Sequence, residues 1–392
     1  MLFSFAMMIL VGVLFAMIMR KVGLPNLLGY LLTGIILGPF VFNVIDTTTF
    51  QISSDIRQIA LMIILMRAGL NLQISDLKKV GSSALLMCFV PASFEILGLM
   101  ILAPIFLHLD LLNAAILGTV LAAVSPAVVV PLMLRLMDEG YGTKEGIPQL
   151  IMAGASMDDV YIIVLFTSLL TLAKSGEFNA LSLLRIPTSI LFGIVSGIVL
   201  GYVLCKLYRL LKLPTGIELA SMFAIGMVLI AIERIMTGMI GFSGLLAIMA
   251  LTATIRHIKP EMADKYSAVL AKLWQPAEIF LFALVGASVR INYALSFGPV
   301  VLVVIILALV FRILGVYLSI MKTKFNMKER IFTMGAYLPK ATVQAAIGGL
   351  ALEAGLASGE LILTAAVTAI LFTAPLGAIF ISLTYRDFLQ KV

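Results

Sequence analysis

The chain has 392 residues, of which 62% are hydrophobic and only 12% are charged, and its mean hydropathy is +1.15. This composition excludes an ordinary soluble domain, in which about a quarter of the residues are charged. The formal net charge of +7 would suit a nucleic-acid-binding protein. In so apolar a chain, basic residues in the joints between membrane spans explain it better, and no nucleic-acid partner is expected.

Long apolar runs follow one another along the sequence, separated by short polar joints. Each is close to the roughly 20 residues that a membrane-spanning helix needs. They predict an all-α protein with the lipid bilayer as its solvent, in a cell (inner or plasma) membrane. Thirteen spans are predicted, at residues 2–19, 24–45, 56–73, 82–107, 111–137, 147–173, 188–211, 215–233, 236–255, 271–289, 297–320, 330–352 and 361–383.

The distribution of basic residues predicts the orientation of these spans. With the N-terminus outside, nineteen of the 27 basic residues fall in inner joints, five in outer joints and three within spans. Because Lys and Arg are in excess on the cytoplasmic side, the pattern indicates N-outside, C-inside. Thirteen spans also divide into two six-span units of opposite orientation, joined by a linker helix at 188–211, which is an arrangement found in secondary transporters.

An inverted repeat predicts that the fifth and twelfth spans, which correspond to each other, are both interrupted near mid-membrane. The fifth contains Ser125, Pro126 and Pro131, and the twelfth contains Pro339 followed by Lys340. Each proline removes an amide donor and frees a carbonyl, and in lipid a freed carbonyl must be buried or face a water-filled cavity. The three prolines are therefore candidate helix breakers, with ordinary proline kinks as the simpler alternative.

Two adjacent aspartates, Asp158 and Asp159, lie inside the sixth span. A charge within the membrane is costly and is a functional candidate by default. Two neighbouring carboxylates also repel each other and couple their titrations. Because a hard monovalent cation prefers oxygen ligands and competes for the same protons, the pair predicts a shared cation and proton site. Ser125, Ser156, Lys340 and Thr342 are candidate supporting residues.

Two further charges, Glu95 in the fourth span and Arg312 in the eleventh, lie on spans that correspond under the repeat. A mutual ion pair is the simplest interpretation, since an unpaired charge there would be costly. Its role would be either a structural staple or the tuning of the nearby aspartates. Lys340 has its own alternative, in which it neutralises one of the two aspartates and leaves the other unexplained.

Other functions fit the aspartate pair less well. An intramembrane aspartyl protease needs two facing carboxylates, whereas neighbouring residues on a helix do not share a face, so no enzymatic activity is expected. A sodium-coupled organic-anion symporter would not need two aspartates opposite a lysine. A channel would not couple cation movement to proton movement. No cofactor is expected, and the metal bound by Asp158 and Asp159 would be the transported ion.

Several segments resemble the NHA-type branch of the monovalent cation/proton antiporters. The resemblance covers nearly the whole chain in order, and its most specific strings are Ser-Pro-Ala-Val-Val-Val-Pro at 125–131, Ala-Ser-Met-Asp-Asp at 155–159 and Pro-Lys-Ala-Thr-Val-Gln-Ala-Ala at 339–346. In related antiporters an aspartate often precedes the first proline, where this chain has Ser125. Without that aspartate, the partial charges at the interrupted helix ends need another source of compensation. Glu95 and Arg312 are the candidates for this role.

The two aspartates predict electrogenic exchange, in which two protons move for each cation. The resemblance implies Na+ or Li+ as the cation and a role in pH homeostasis, with K+/H+ exchange as the alternative. It also implies a homodimer and an elevator-type movement, in which crossed broken helices lie in the moving core. In this interpretation the core spans about 82–173 and 297–383, and the scaffold spans about 1–80 and 213–290. The family's paired aspartates match Asp158 and Asp159, and its lysine matches Lys340.

Overall fold

A computed structural model describes residues 1–71, 82–175, 185–236 and 242–392, and the regular elements in these ranges are helices. Eighteen helices are described: α1 (Leu2–Lys21), α2 (Asn26–Leu37), α3 (Thr47–Gln51), α4 (Ser53–Asn71), α5 (Ser82–Met87), α6 (Val90–Leu107), α7 (Leu111–Ala122), α8 (Pro126–Asp138), α9 (Ile147–Ser175), α10 (Arg185–Leu211), α11 (Thr215–Met236), α12 (Gly244–Ile258), α13 (Pro260–Ala287), α14 (Ile291–Ile320), α15 (Met327–Ala336), α16 (Thr342–Ile347), α17 (Leu350–Glu353) and α18 (Gly359–Phe388).

Nine helical segments among the described residues are long and apolar enough to cross a membrane, and α2 and α12 are shorter apolar helices. The chain is therefore an all-helical, multi-pass membrane protein, as its composition predicts. The count of thirteen spans, the inverted repeat and the N-outside orientation stay predictions.

The described chain divides into two compact units. The first comprises residues 1–54, 82–162 and 278–392, and the second comprises 55–71, 163–175, 185–236 and 242–277. Within the second, α12 packs against both α10 and α11. Within the first, α6 packs against α7 and α14, while α18 packs against α7, α8, α14 and α15. All the candidate site residues lie in the first unit, and the functional division into core and scaffold stays a prediction.

Several helix boundaries differ from the predicted spans. The fourth span is two helices, because a turn at residues 88–89 separates α5 from α6, which has Pro91 near its N-terminus. The second span ends early, at Leu37, where Gly38 and Pro39 follow. The tenth span begins earlier than predicted, because α13 runs without interruption from Pro260 to Ala287.

Small residues allow close helix contacts in the first unit, as is usual in membrane proteins. A Cβ atom built on Gly34 of α2 would lie 1.8 Å from the carbonyl oxygen of Ala283 in α13. No side chain fits at that distance, so the glycine is needed for these two helices to approach.

The C-terminal residues 389–392 pair with the turn between α8 and α9. The Gly142 amide donates to the Gln390 carbonyl at 2.8 Å, and the Val392 amide donates to the Gly140 carbonyl at 2.9 Å. Both glycines have positive φ, +79° at Gly140 and +69° at Gly142, which other residues rarely adopt. The pairing ties the end of α18 to the turn that leads into α9, the helix of the two aspartates.

Candidate functional site

The first predicted interruption is present between α7 and α8. Helix α7 ends at Ala122, the residues 123–125 are non-helical, and α8 begins with Pro126 as its first residue. Proline suits this position because the first residue of a helix needs no amide donor. The fifth span is therefore interrupted in this structure, and the interruption lies beside Pro126.

Pro131 does not break the helix, contrary to the sequence prediction. It lies inside α8, which continues to Asp138. The missing amide removes the hydrogen bond that would reach back to the carbonyl of Ala127, four residues earlier. The loss of one such bond is absorbed, and the helix continues through the proline.

The second predicted interruption is also present, between α15 and α16, and it lies against the first. Helix α15 ends at Ala336 and α16 begins at Thr342, so that Pro339 and Lys340 fall in the non-helical stretch. The Ser125 amide donates to the Pro339 carbonyl at 2.8 Å. The hydroxyl oxygens of Ser125 and Thr342 are 3.4 Å apart. The two breaks thus contact each other through backbone and side chain.

Asp158 is fully buried in α9 and contacts the first break. Its Oδ2 accepts a hydrogen bond from the Val124 amide at 2.9 Å and one from Nη2 of Arg312 at 3.0 Å. Its Oδ1 has no hydrogen-bond partner among the described residues. One oxygen of this carboxylate is therefore fixed by two donors, and the other remains free to take a ligand.

Asp159 is also buried, at 6% exposure, but its surroundings differ. The ion pairs of the described residues include none with Asp159, and its Oδ1 has no hydrogen-bond partner. A buried carboxylate without a cationic partner favours the protonated state or an added cation. The side chain of the nearby Ser156 lies outside the described residues, so its predicted supporting role stays a prediction.

Glu95 joins the two buried basic residues. Its Oε2 is 2.9 Å from Nη1 of Arg312, and its Oε1 is 2.7 Å from Nζ of Lys340. Arg312 in turn bridges Glu95 to Asp158. Lys340 therefore pairs with Glu95, whereas one sequence interpretation paired it with an aspartate.

Three side chains bind the carbonyl groups at the C-terminal end of α7. Lys340 donates to Leu121, Arg312 donates to Ala122, and Nε2 of Gln344 donates to Ala123 at 2.8 Å. Because the C-terminal end of a helix carries partial negative charge, the buried positive charges of Lys340 and Arg312 are favourable at this end. Together with Gln344, these side chains satisfy the carbonyls that the break leaves without helical partners.

Sequence reasoning gave no role to two residues of this site. The carbonyl of Tyr337 accepts from Nε of Arg312 at 2.7 Å, and its ring centre lies 5.0 Å from the guanidinium carbon. Gln344 is the other, with its amide on the broken stretch. In the sequence, each of these residues is a polar residue within an interrupted apolar span. This feature alone does not distinguish a packing role from a functional one.

The charges at the site do not cancel. Three carboxylates, Glu95, Asp158 and Asp159, lie with two basic groups, Arg312 and Lys340, all at most 6% exposed. With every group ionised, the site carries one net negative charge. This charge lies on Asp158 and Asp159, whose Oδ1 atoms have no partner among the described residues. Either one monovalent cation or one proton neutralises it.

Comparison with known proteins gives three results of the same kind. A family model described as "Sodium/hydrogen exchanger, transmembrane" matches residues 6–386. Sodium/hydrogen exchanger 9B2 of Pongo abelii is 36% identical over 387 residues, covering 94% of this chain and 70% of the relative. Sodium/hydrogen exchanger 9B1 of Homo sapiens is 35% identical over 375 residues, covering 92% of this chain and 72% of the relative.

The fold is similar to that of the sodium proton antiporter MjNhaP1 from Methanocaldococcus jannaschii. The TM-score is 0.83 at 20% sequence identity, and the superposition covers 98% of this chain and 97% of that one. At this identity the similarity concerns the fold.

Proposed function

Since the chain belongs to the sodium/hydrogen exchanger family, we propose that it is an antiporter that exchanges Na+ or Li+ for H+ at Asp158 and Asp159. The observation that carries the proposal is Asp159, a buried carboxylate without an ion pair among the described residues, next to Asp158, whose Oδ1 is also unpartnered. Such a pair holds either a cation or protons, and the two exclude each other because they use the same oxygens.

Transport in proteoliposomes tests this proposal directly. Vesicles holding the purified protein and a fluorescent probe of the pH gradient receive Na+, Li+ or K+ in turn, with protein-free vesicles as the control. We expect Na+ and Li+ to dissipate the gradient. A response to K+ alone would assign K+/H+ exchange instead, and a response to none of the three cations would contradict the proposal.

The buried charges bear on the stoichiometry. Two aspartates suggest two protons per cation, as expected from the sequence, but that count omits Arg312, Lys340 and Glu95. With all five groups counted, the site carries one negative charge, which one cation or one proton neutralises. Binding two protons would require Asp158 to be protonated while Arg312 remains against it. We therefore propose one-for-one exchange as the basal cycle, in place of the electrogenic cycle expected from the sequence.

A membrane potential separates the two stoichiometries. A cycle that moves one net charge shifts by about 2.3 kcal/mol per 100 mV, whereas a one-for-one cycle does not respond. We expect a potential set with valinomycin and K+ to leave the equilibrium Na+ gradient unchanged at a fixed pH gradient. A gradient that follows the potential would restore the two-for-one expectation.

We propose an elevator-type movement in a homodimer, with the core at about 82–173 and 297–383 as the moving part. The five buried charged groups of the candidate site all fall within these ranges, which supports a core that carries the ion as one body. Cross-links between engineered cysteines of core and scaffold should stop exchange and leave cation binding intact. Full exchange by an efficiently cross-linked protein would argue against this movement.

A further inference from the structure

Gln344 is a fully buried polar residue in α16, surrounded in sequence by apolar residues. Its Nε2 donates to the Ala123 carbonyl at 2.8 Å and lies 3.4 Å from the Leu121 carbonyl. Because both partners are carbonyl oxygens, which only accept hydrogen bonds, the amide must present its nitrogen to them. This fixes which end of the side chain is the oxygen.

The oxygen of this amide, Oε1, is buried and has no hydrogen-bond partner in the part of the chain that the structure describes. Buried polar atoms in proteins nearly always have one, and leaving one unmade is costly. Since the nitrogen end is held by the broken stretch, the side chain cannot turn its oxygen to another donor without losing those contacts. The structure therefore maintains a buried oxygen that is ready for a partner.

This oxygen belongs to the same part of the molecule as the two free aspartate oxygens. Gln344 binds the carbonyl of Ala123, and the next residue, Val124, donates its amide to Asp158 at 2.9 Å. Oδ1 of Asp158 and Oδ1 of Asp159 also lack hydrogen-bond partners. A partner for all three is one that accepts electron pairs from oxygen, which is what a hard cation does.

We propose that Oε1 of Gln344 is a ligand of the transported cation, and that it lets the site distinguish a cation from a proton. The proposal rests on cation exchange at the aspartates and adds a neutral ligand to them. A proton on a carboxylate is held by its covalent O–H bond and needs at most one further oxygen as acceptor, whereas a dehydrated monovalent cation needs several oxygens. Gln344 then strengthens cation binding more than proton binding.

The variant Gln344→Met keeps the length and volume of the side chain and removes the oxygen. We expect the KM for Na+ to rise about tenfold, the size of effect expected for losing one interaction with a charged group. In a plot of log KM against pH, the curve should rise by the same amount at every pH. The pH at which its slope changes, which we call the break of the curve, should stay the same. A purely structural role predicts instead a moved break or a loss of folded protein.

The matched control is Gln149→Met in the first turn of α9, since Gln149 also has a buried Oε1 without a hydrogen-bond partner. We expect this control to leave the KM unchanged. If Gln344→Met does not fold, Gln344→Glu provides the second test, because it exchanges a neutral oxygen ligand for one that titrates. The slope of log KM against pH should then become steeper than in the wild type.

Three results would overturn the inference while the wild type exchanges Na+ normally: an unchanged KM in Gln344→Met, a moved break of its pH curve, or an unchanged slope in Gln344→Glu. A wild-type protein that exchanges none of Na+, Li+ and K+ would instead contradict the proposed function. The two failures are therefore distinguishable in one set of vesicles.

Discussion

Replacing Asp159 with Asn is expected to abolish exchange. The substitution keeps the shape of the side chain and removes its charge, and Asp159 has no cationic partner among the described ion pairs to be left unbalanced. We therefore expect Asp159→Asn to fold with wild-type thermal stability and to give no Na+-driven change in vesicle pH. Full exchange by this variant would contradict the assignment of the site.

Asp158→Asn should behave differently, because Asp158 is held by Arg312 and by the Val124 amide. We expect exchange to fall at least about tenfold, together with a measurable loss of thermal stability, since the guanidinium loses one of two carboxylates. The comparison of the two variants in one assay is the check. Equal stability losses would show that the two aspartates do not have the different surroundings described above.

The second large effect is expected at Glu95, the carboxylate shared by Lys340 and Arg312. Removing one partner of a buried ion pair typically costs about 3–5 kcal/mol, because it leaves an uncompensated charge. Glu95→Leu should be the more damaging single change, since Lys340 then has no carboxylate partner. Arg312→Leu leaves Glu95 with Lys340 and exposes Asp158 instead. Thermal unfolding in detergent measures both losses.

The double variant Glu95→Leu with Arg312→Leu should lose less stability than the sum of the single variants. It removes one negative and one positive charge and leaves Asp158, Asp159 and Lys340, so that the net charge of the site is unchanged. Recovered stability with normal transport would make the pair a structural staple, and recovered stability with an altered pH dependence would make it a tuning element. Strictly additive losses would show that the two residues do not interact.

The sequence indicated the candidate site because its elements are local and unusual in lipid. Charges inside apolar runs, such as Asp158, and a proline beside a serine, such as Pro126, are visible without a fold. The breaks in the fifth and twelfth spans followed from the same evidence. Composition and run length in turn predicted the all-helical membrane class.

The sequence predicted the ion pair between Glu95 and Arg312, which the structure contains at 2.9 Å, but it did not predict the second partner of either residue. Lys340 lies next to Pro339 in a non-helical stretch, so its direction depends on a backbone path that no periodicity encodes, and it contacts Glu95. Pro131 shows that a proline alone does not predict a break. The proline at 126 follows an interruption of the span, whereas the proline five residues later lies inside α8 and the helix continues through it. Gln344 is one polar residue in an apolar run, and its role depends on which atoms remain without partners after packing.

The ion pair between Arg312 and Glu95 also determines when the site can be completed during biosynthesis, because the two residues are 217 positions apart in the chain. At synthesis rates of about 5–20 residues per second, Glu95 waits roughly 10–40 s before Arg312 exists. An unpaired charge within the bilayer is costly, so the helix that carries Glu95 gains its full stability in the membrane only after Arg312 and Lys340 have been made. Completion of the site is therefore a late step of biosynthesis.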